Sequence, residues 1–225
     1  MNSWNDFDLS INVDDILRGQ GADPEKLRLR KPSLVDAAEF ARAEGLPHIH
    51  PIALVRKVMV KAHSHDRLLL DDSTKLTGPL VTQHLAGAQR VAAVVCTIGA
   101  ELEDMSARLF DNDPLLAFAL DGLGNAAVEQ LGQQVCQRIG EQAQVDGLTA
   151  STPLSPGEPD WPAEIGQPQI FALVEAAEIG IQITPGGMMI PKKSISFVLG
   201  IGPEMSQSEP CEVCGLRESC RYRHG

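Results

Sequence analysis

Aromatic residues make up only 4% of this 225-residue chain, as six Phe, two Trp and one Tyr. A core built almost without them falls to Ala, Val, Leu and Ile, within an apolar content of 43% that is ordinary for a globular protein. Positive charge is scarce as well: 19 Lys and Arg stand against 30 Asp and Glu, a formal net charge of -11. Such a surface repels phosphate backbones and anionic membranes, so neither nucleic acid nor a membrane is an expected partner. No apolar run approaches the roughly 20 residues needed to span a bilayer. Residues 1–6 lack the basic and apolar regions of a signal peptide, so the expected location is cytoplasmic. The five cysteines then read as thiols or metal ligands rather than disulfides. Gly-x-Ser-x-Gly, a phosphate-binding glycine loop and a dinucleotide fingerprint are all missing, which leaves no signature of the commonest enzyme classes.

What is present divides into short periodic segments. Val13–Gly19 and Ser33–Glu44 read as helices, the second with Pro32 before its start, Ser33 as cap and Gly45 as stop. Ile52–Ala62 and Leu68–Leu70 read as two extended segments, and the β-branched run Val91–Cys96 as a buried strand. Glu101–Phe110 reads as a helix with acidic residues in its first turn, where they suit the macrodipole. In Asp113–Val145, Leu116, Leu120, Leu123, Ala127, Leu131, Val135 and Ile139 recur at helical spacing on one buried face. Gly122 and Gly124 interrupt that face, either to admit another backbone or to break the helix in two. Pro168–Ala177 reads as a helix, and Gly180–Thr184 and Ser194–Gly202 as strands. The irregular alternation favours an α+β domain: a twisted, largely antiparallel sheet flanked by helices. The chain divides into an N-terminal segment (1–75), a core (76–202), and a polar linker with a cysteine-rich tail (203–225).

Two segments carry chemistry. Between Pro153 and Pro162 lie four prolines and Gly157, a backbone stiffened by fixed φ angles and missing donors, as suits a docking or ligand loop or a rigid surface connection. The tail places Cys211, Cys214 and Cys220 within ten residues, with His224 following after three intervening residues. Cys-x2-Cys sets two thiolates on one turn, and the third completes most of a soft-metal site: iron–sulfur with an outside fourth ligand, or a Cys3His zinc site through His224. Arg217, Arg221 and Arg223 would offset the negative charge of such a centre. Cys96 and Cys136 read as buried packing residues. His48/His50 and His63/His65 have metal-compatible spacing, with no nearby carboxylate or cysteine cluster to complete a site.

Ser155-Pro156-Gly157, Asp160-Trp161-Pro162, Gln169-Ile170-Phe171, Ile179-Gly180-Ile181 and Gly187 through Ser196 (GMMIPKKSIS) follow in order, after Cys96 through Glu103 (CTIGAELE). Together these resemble the activation domain of cobalamin-dependent methionine synthase in its short stand-alone form. The resemblance spans roughly residues 76–202, with a looser match at Val13–Arg18. It implies an activation-domain fold and an S-adenosylmethionine-type loop at Ser155, Pro156, Gly157 and Glu158. The family's loop reads Arg-x-x-Pro-Gly-Tyr; here Pro153 replaces the carboxylate-binding arginine and Glu158 the tyrosine, with Lys192 and Lys193 as candidate replacement cations. The implied function is reactivation of a corrinoid (vitamin B12)-dependent methyltransferase such as methionine synthase. The chain would dock on the corrinoid-binding protein through the stiff loop and the strand at Ser194–Gly202, with cobalamin arriving through that partner. The resemblance favours an iron–sulfur cluster, with zinc as the alternative, and a low-potential electron donor as a further partner. The other readings are a non-catalytic metal-stabilised binding module and an S-adenosylmethionine-binding enzyme.

Overall fold

The computed structural model describes residues 1–158 and 160–206. Seven α-helices occur among them: α1 (Val13–Gly19), α2 (Pro24–Arg30), α3 (Pro32–Gly45), α4 (Pro79–His84), α5 (Glu101–Leu109), α6 (Pro114–Val145) and α7 (Ala163–Leu173). The strands are β1 (Asn2–Trp4), β2 (Ile52–His63), β3 (Arg67–Leu70), β4 (Lys75–Thr77), β5 (Arg90–Thr97), β6 (Thr149–Ala150), β7 (Gln182–Ile183), β8 (Met189–Ile190) and β9 (Ser194–Gly202). One sheet runs β4-β3-β2-β5-β9-β6 with β1 added on β2, and every pairing in it is antiparallel. A register shift between Val60 and Ala62 bends β2 as it passes from β5 to β3, the local curl that a bulge produces. The α+β architecture with an antiparallel sheet is the expected one.

Alternation along the central strands divides the core. Ala92, Val94 and Cys96 of β5 join Phe197, Leu199 and Ile201 of β9 beneath α1, α3, α5 and α6. Val91, Ala93, Val95 and Val198 face the opposite layer, with Trp161, Ile170 and Leu173. A strand covered on both faces must be apolar throughout, which is why Val91–Cys96 shows no polar alternation. With few aromatics, the first core is built by aliphatic stripes on α6, held close to the sheet by small residues.

Helix α6 is unbroken over 32 residues. Asp113 caps it, accepting from the Leu116 backbone N–H at 3.0 Å. Gly122 is the crossing point with α1: a Cβ there would lie 2.7 Å from the Ile16 carbonyl oxygen, and a Cβ on Gly19 would strike the Gly122 carbonyl. At Gly122 close approach of another backbone is therefore the reading realised; Gly124 instead admits the side chain of Lys193, and neither glycine breaks the helix.

Three local expectations need correction. Helix α3 starts at Pro32, and no side chain caps it; proline's fixed φ and missing N–H suit a first turn without help from Ser33. Helix α7 starts at Ala163, carries Pro168 inside it and ends at Leu173, with a 3-10 turn following at Ala176–Ile179. Burial of Ile170, Leu173 and Gly166 outweighs the one intrahelical bond that Pro168 forgoes. The linker beginning at Pro203 is anchored at first: Met205 is buried, and its N–H donates to Thr149 Oγ1 at 2.9 Å.

Candidate functional site

The stiff loop leaves the sheet at Leu154, which pairs with Val198. Gly157, at φ +127°, turns the chain back so that its N–H donates to the Trp161 carbonyl at 2.9 Å, while Trp161 N–H donates to the Glu158 carbonyl at 3.0 Å. Trp161 is fully buried, and its indole N–H lies 3.4 Å from Gln169 Oε1; Gln169 is bonded in turn to Thr77. Pro156 packs on Gly166, where any side chain would collide with it. The turn is thus clamped on α7 from beneath, leaving Ser155, Gly157 and Asp160 exposed and Pro156 and Glu158 half-buried. Its shape is held by tertiary packing as well as by proline.

The resembling segments converge around this end of the sheet. Ile98 N–H and Thr97 Oγ1 both donate to the Lys193 carbonyl, at 3.2 and 3.1 Å, which ties the Thr97–Gly99 corner to the start of β9. The β7–β8 hairpin carries its tip onto the first turn of α7, since Gly187 abuts the backbone of Ala163 and Glu164. Ile165, Met188 and Ile190 are exposed there at 47%, 63% and 54%. The stiff loop, the start of α7 and the hairpin therefore form adjoining parts of one region that carries these exposed apolar side chains. Strand β9 is not part of that face. It is paired along its length with β5, meets Leu154, Ala150 and Thr149 on its other edge at Val198, Ile201 and Gly202, and is buried from Ser196 to Gly202, so the expectation that Ser194–Gly202 docks a partner is corrected.

The lysines are spoken for. Lys193 Nζ reaches Asp121 Oδ1 and Asn125 Oδ1, both at 2.6 Å, with its stem across Gly124. Lys192 pairs with Glu103 at 3.2 Å and donates its backbone N–H to the same carboxylate. Glu101 accepts from His48 Nδ1 at 3.1 Å and His50 Nε2 at 3.2 Å, bonds that hold its carboxyl below the usual glutamate range. This cluster was invisible in the sequence because 51 residues separate His50 from Glu101; the fold brings them together through the His50 N–H to Ile98 carbonyl bond at 2.9 Å. His63 instead meets the Thr82 carbonyl at 2.9 Å. No group of three or more His, Cys, Asp or Glu among the described residues could hold a metal ion.

A groove of about 260 Å³ opens at the other end of β9, where the edge strand β6 faces α6. Cys136, Gly140 and Gln144, one helical face, form one wall; Thr149 to Pro153 form the other, and Leu199 the floor. Every one of these side chains is uncharged. Lys193 sits at the Asp121–Asn125 level of α6, about 16 Å along the helix from Cys136, and cannot serve as the groove's cation. Cys96 is buried in the sheet, and Cys136, its thiol pushed up to about 12 by burial, packs against the helix-side core and also lines the groove, so both are packing residues as expected. Ser151 Oγ and His84 Nε2 stand 3.3 Å apart, the spacing of a nucleophile and its base. The same Nε2 lies 2.8 Å from the Thr152 carbonyl, so it carries the hydrogen and donates. The imidazole is therefore turned the wrong way to take the serine proton, and the pair is structural.

Of the sequence-derived site residues, Pro153 bounds the groove, whereas Ser155, Pro156, Gly157 and Glu158 belong to the clamped turn beyond it. Cys211, Cys214, Cys220 and His224 lie outside the described residues. No helix among the described residues is long and apolar enough to cross a membrane.

No family model and no curated protein sequence matches the chain. Among solved structures it is similar to the crystal structure of the MetH reactivation domain bound to AdoHcy, with a TM-score of 0.61 at 14% identity, covering 80% of this chain and 68% of that one. The chain has the fold of the MetH reactivation domain.

Proposed function

We propose that this protein is an accessory reactivation protein for a corrinoid-dependent methyltransferase such as methionine synthase, and that it docks on the corrinoid-bearing partner to support reductive methylation. The observation that carries the reading is the shared fold, with the stiff loop, the start of α7 and the β7–β8 hairpin presenting exposed Ile165, Met188 and Ile190 together. The chemistry belongs to the partner's corrinoid, whose oxidised cobalt needs one low-potential electron and a methyl group to re-enter the catalytic cycle. This chain's own residues supply shape: Trp161, Gly166 and Pro156 keep the loop rigid, so little conformational entropy is lost on docking.

The solved neighbour holds AdoHcy. Here Pro153 stands where the resembling family has its carboxylate-binding arginine, and a proline offers no bidentate guanidinium for an amino-acid carboxylate. S-adenosylmethionine therefore binds this chain weakly, and the methyl donor is held chiefly by the partner. An iron–sulfur cluster or zinc held by Cys211, Cys214 and Cys220 would position or relay the electron. The test is anaerobic gel filtration with cob(II)alamin-loaded methionine synthase lacking its own reactivation domain, followed by reductive methylation. Co-elution of the cobalamin absorbance and a faster return to the methylated form are expected; separate elution with no change in rate would overturn the reading.

A further inference from the structure

From Ile139 to Pro191 the chain contains no Lys, Arg or His. That stretch includes the stiff loop, α7, the 3-10 turn at Ala176–Ile179 and the β7–β8 hairpin, so the region exposing Ile165, Met188 and Ile190 has no cation of its own. Acids are present in it. Asp160 in the loop, Glu164 in the first turn of α7, and Glu175 and Glu178 beyond its far end are all exposed. None of these carboxylates takes part in an ion pair among the described residues. Neighbouring elements supply little to neutralise them. Lys192, next after the hairpin, is paired with Glu103, Arg56 with Asp72, and Arg67 of β3 stands 4.0 Å from Asp66. His48 and His50 are bonded to Glu101. Lys75, exposed on the β4 strand that packs beside α7, offsets one of the charges.

The acidic and apolar groups stand side by side. Met188 and Ile190 are two residues apart and share one side of their strand, while Met189 between them packs inward on the core. Gly187 abuts the backbone of Ala163 and Glu164, which sets Glu164 and Ile165 beside Met188. An apolar centre with a charged rim is how transient protein interfaces are built. A rim of one sign decides the partner: negative charge repels phosphate backbones and anionic lipid, and burying unpaired carboxylates against a neutral surface costs their hydration. We infer that this region takes a basic protein surface, one that presents Lys and Arg side chains around an apolar patch. The inference rests on the reading of the chain as a docking protein and names the chemistry of the corrinoid-bearing partner's docking face. The carboxylates set the rate and orientation of encounter, and Ile165, Met188 and Ile190 set the lifetime of the complex.

Association and dissociation rates with cob(II)alamin-loaded methionine synthase lacking its own reactivation domain test this. Raising salt from about 10 to about 150 mM shortens the screening length from about 30 to about 8 Å. The on-rate should fall at least about tenfold, while the off-rate changes little. Asp160→Lys combined with Glu164→Lys should lower the low-salt on-rate by about tenfold and flatten its salt dependence. Asp36→Lys combined with Glu39→Lys makes the same change in net charge at exposed positions of α3, in the layer on the other side of the sheet, and should leave both rates near wild type. Met188→Ser combined with Ile190→Ser should chiefly raise the off-rate. Circular dichroism of each variant checks the fold. A second probe does not depend on the corrinoid reading: an amphipathic Leu/Lys helical peptide should shift the Ile165, Met188 and Ile190 methyl resonances, and its Leu/Glu counterpart should not. Salt-independent association, or equal effects of the two charge reversals, overturns the inference and leaves docking on the corrinoid protein standing. Peptide shifts spread away from those methyls also overturn it. Methyl shifts with the basic peptide but no association with methionine synthase keep the surface and overturn the corrinoid partner.

Discussion

Adding one methyl group at each of two glycines of α6 should have opposite effects, and the difference measures how the helix is used. At Gly122 a Cβ would lie 2.6 Å from Gln20 Cγ and 2.7 Å from the Ile16 carbonyl oxygen. The glutamine can turn aside, but the carbonyl belongs to α1 and moves only if the whole helix does. Overpacking of this kind costs about 1–3 kcal/mol, and a backbone obstacle places it at the upper end. Replacing a helical glycine by alanine returns about 1 kcal/mol of propensity. Gly122→Ala should therefore lose about 2 kcal/mol, which for a chain of this size is a fall in Tm of about 4–8 °C. At Gly140 nothing lies within 4 Å of the added carbon, because it points into the open groove. Gly140→Ala should gain about 0.5–1 kcal/mol from propensity alone. Guanidinium unfolding of both variants, monitored by far-ultraviolet circular dichroism, reads the two values. A Gly122→Ala protein as stable as wild type would refute the close α1–α6 crossing, and a destabilised Gly140→Ala protein would mean that the groove is already filled.

Removing Trp161 by Trp161→Ala should cost about 3–5 kcal/mol in chemical denaturation and loosen the loop, whereas Trp161→Phe, which keeps the burial and forgoes one long hydrogen bond to Gln169, should cost under about 2 kcal/mol. On the hairpin, Met188→Glu or Ile190→Asp should leave stability within about 0.5 kcal/mol, since both side chains are exposed, yet abolish co-elution with the corrinoid protein. The bidentate bonds from Arg138 at 2.7 and 2.6 Å hold Asp6 down at about 2, from an ordinary value of 3.8. A depressed carboxylate stabilises the fold above its unfolded value and loses that contribution as pH falls towards its folded one. The stability difference between wild type and Asp6→Asn in urea should therefore shrink between pH 3.8 and about 2, and Trp4 fluorescence should report release of the arm, because Arg138 lies 4.9 Å over its ring.

Elements whose boundaries follow from local chemistry were legible before the structure. Asp113 before Pro114, followed by leucines at helical spacing, defines α6 without reference to its neighbours. The unalternating run Val91–Cys96 announced a strand covered on both faces, and the antiparallel α+β arrangement followed from the irregular order of such segments. Helix α7 was misjudged because proline normally ends a helix, and only packing of Ile170 and Leu173 against the sheet shows why Pro168 is tolerated within one. The ordered motifs of the loop, of Thr97–Glu103 and of Gly187–Ser196 pointed to an activation-type domain, and the likeness to the MetH reactivation domain supports that at the level of fold.

Local propensities, capping, periodicity and the stiffness of the proline loop are properties of neighbouring residues, and the sequence alone determined them. Which surfaces remain open was decided by contacts between distant residues. Ser194–Gly202 looks like any apolar strand until its pairing with β5 and β6 removes it from the surface. Cys136 packs against the core as its surroundings in sequence suggest, yet only the placement of Thr149–Pro153 opposite α6 shows that it also lines a groove. Exposure depends on the position of every other element, so no window of sequence contains it.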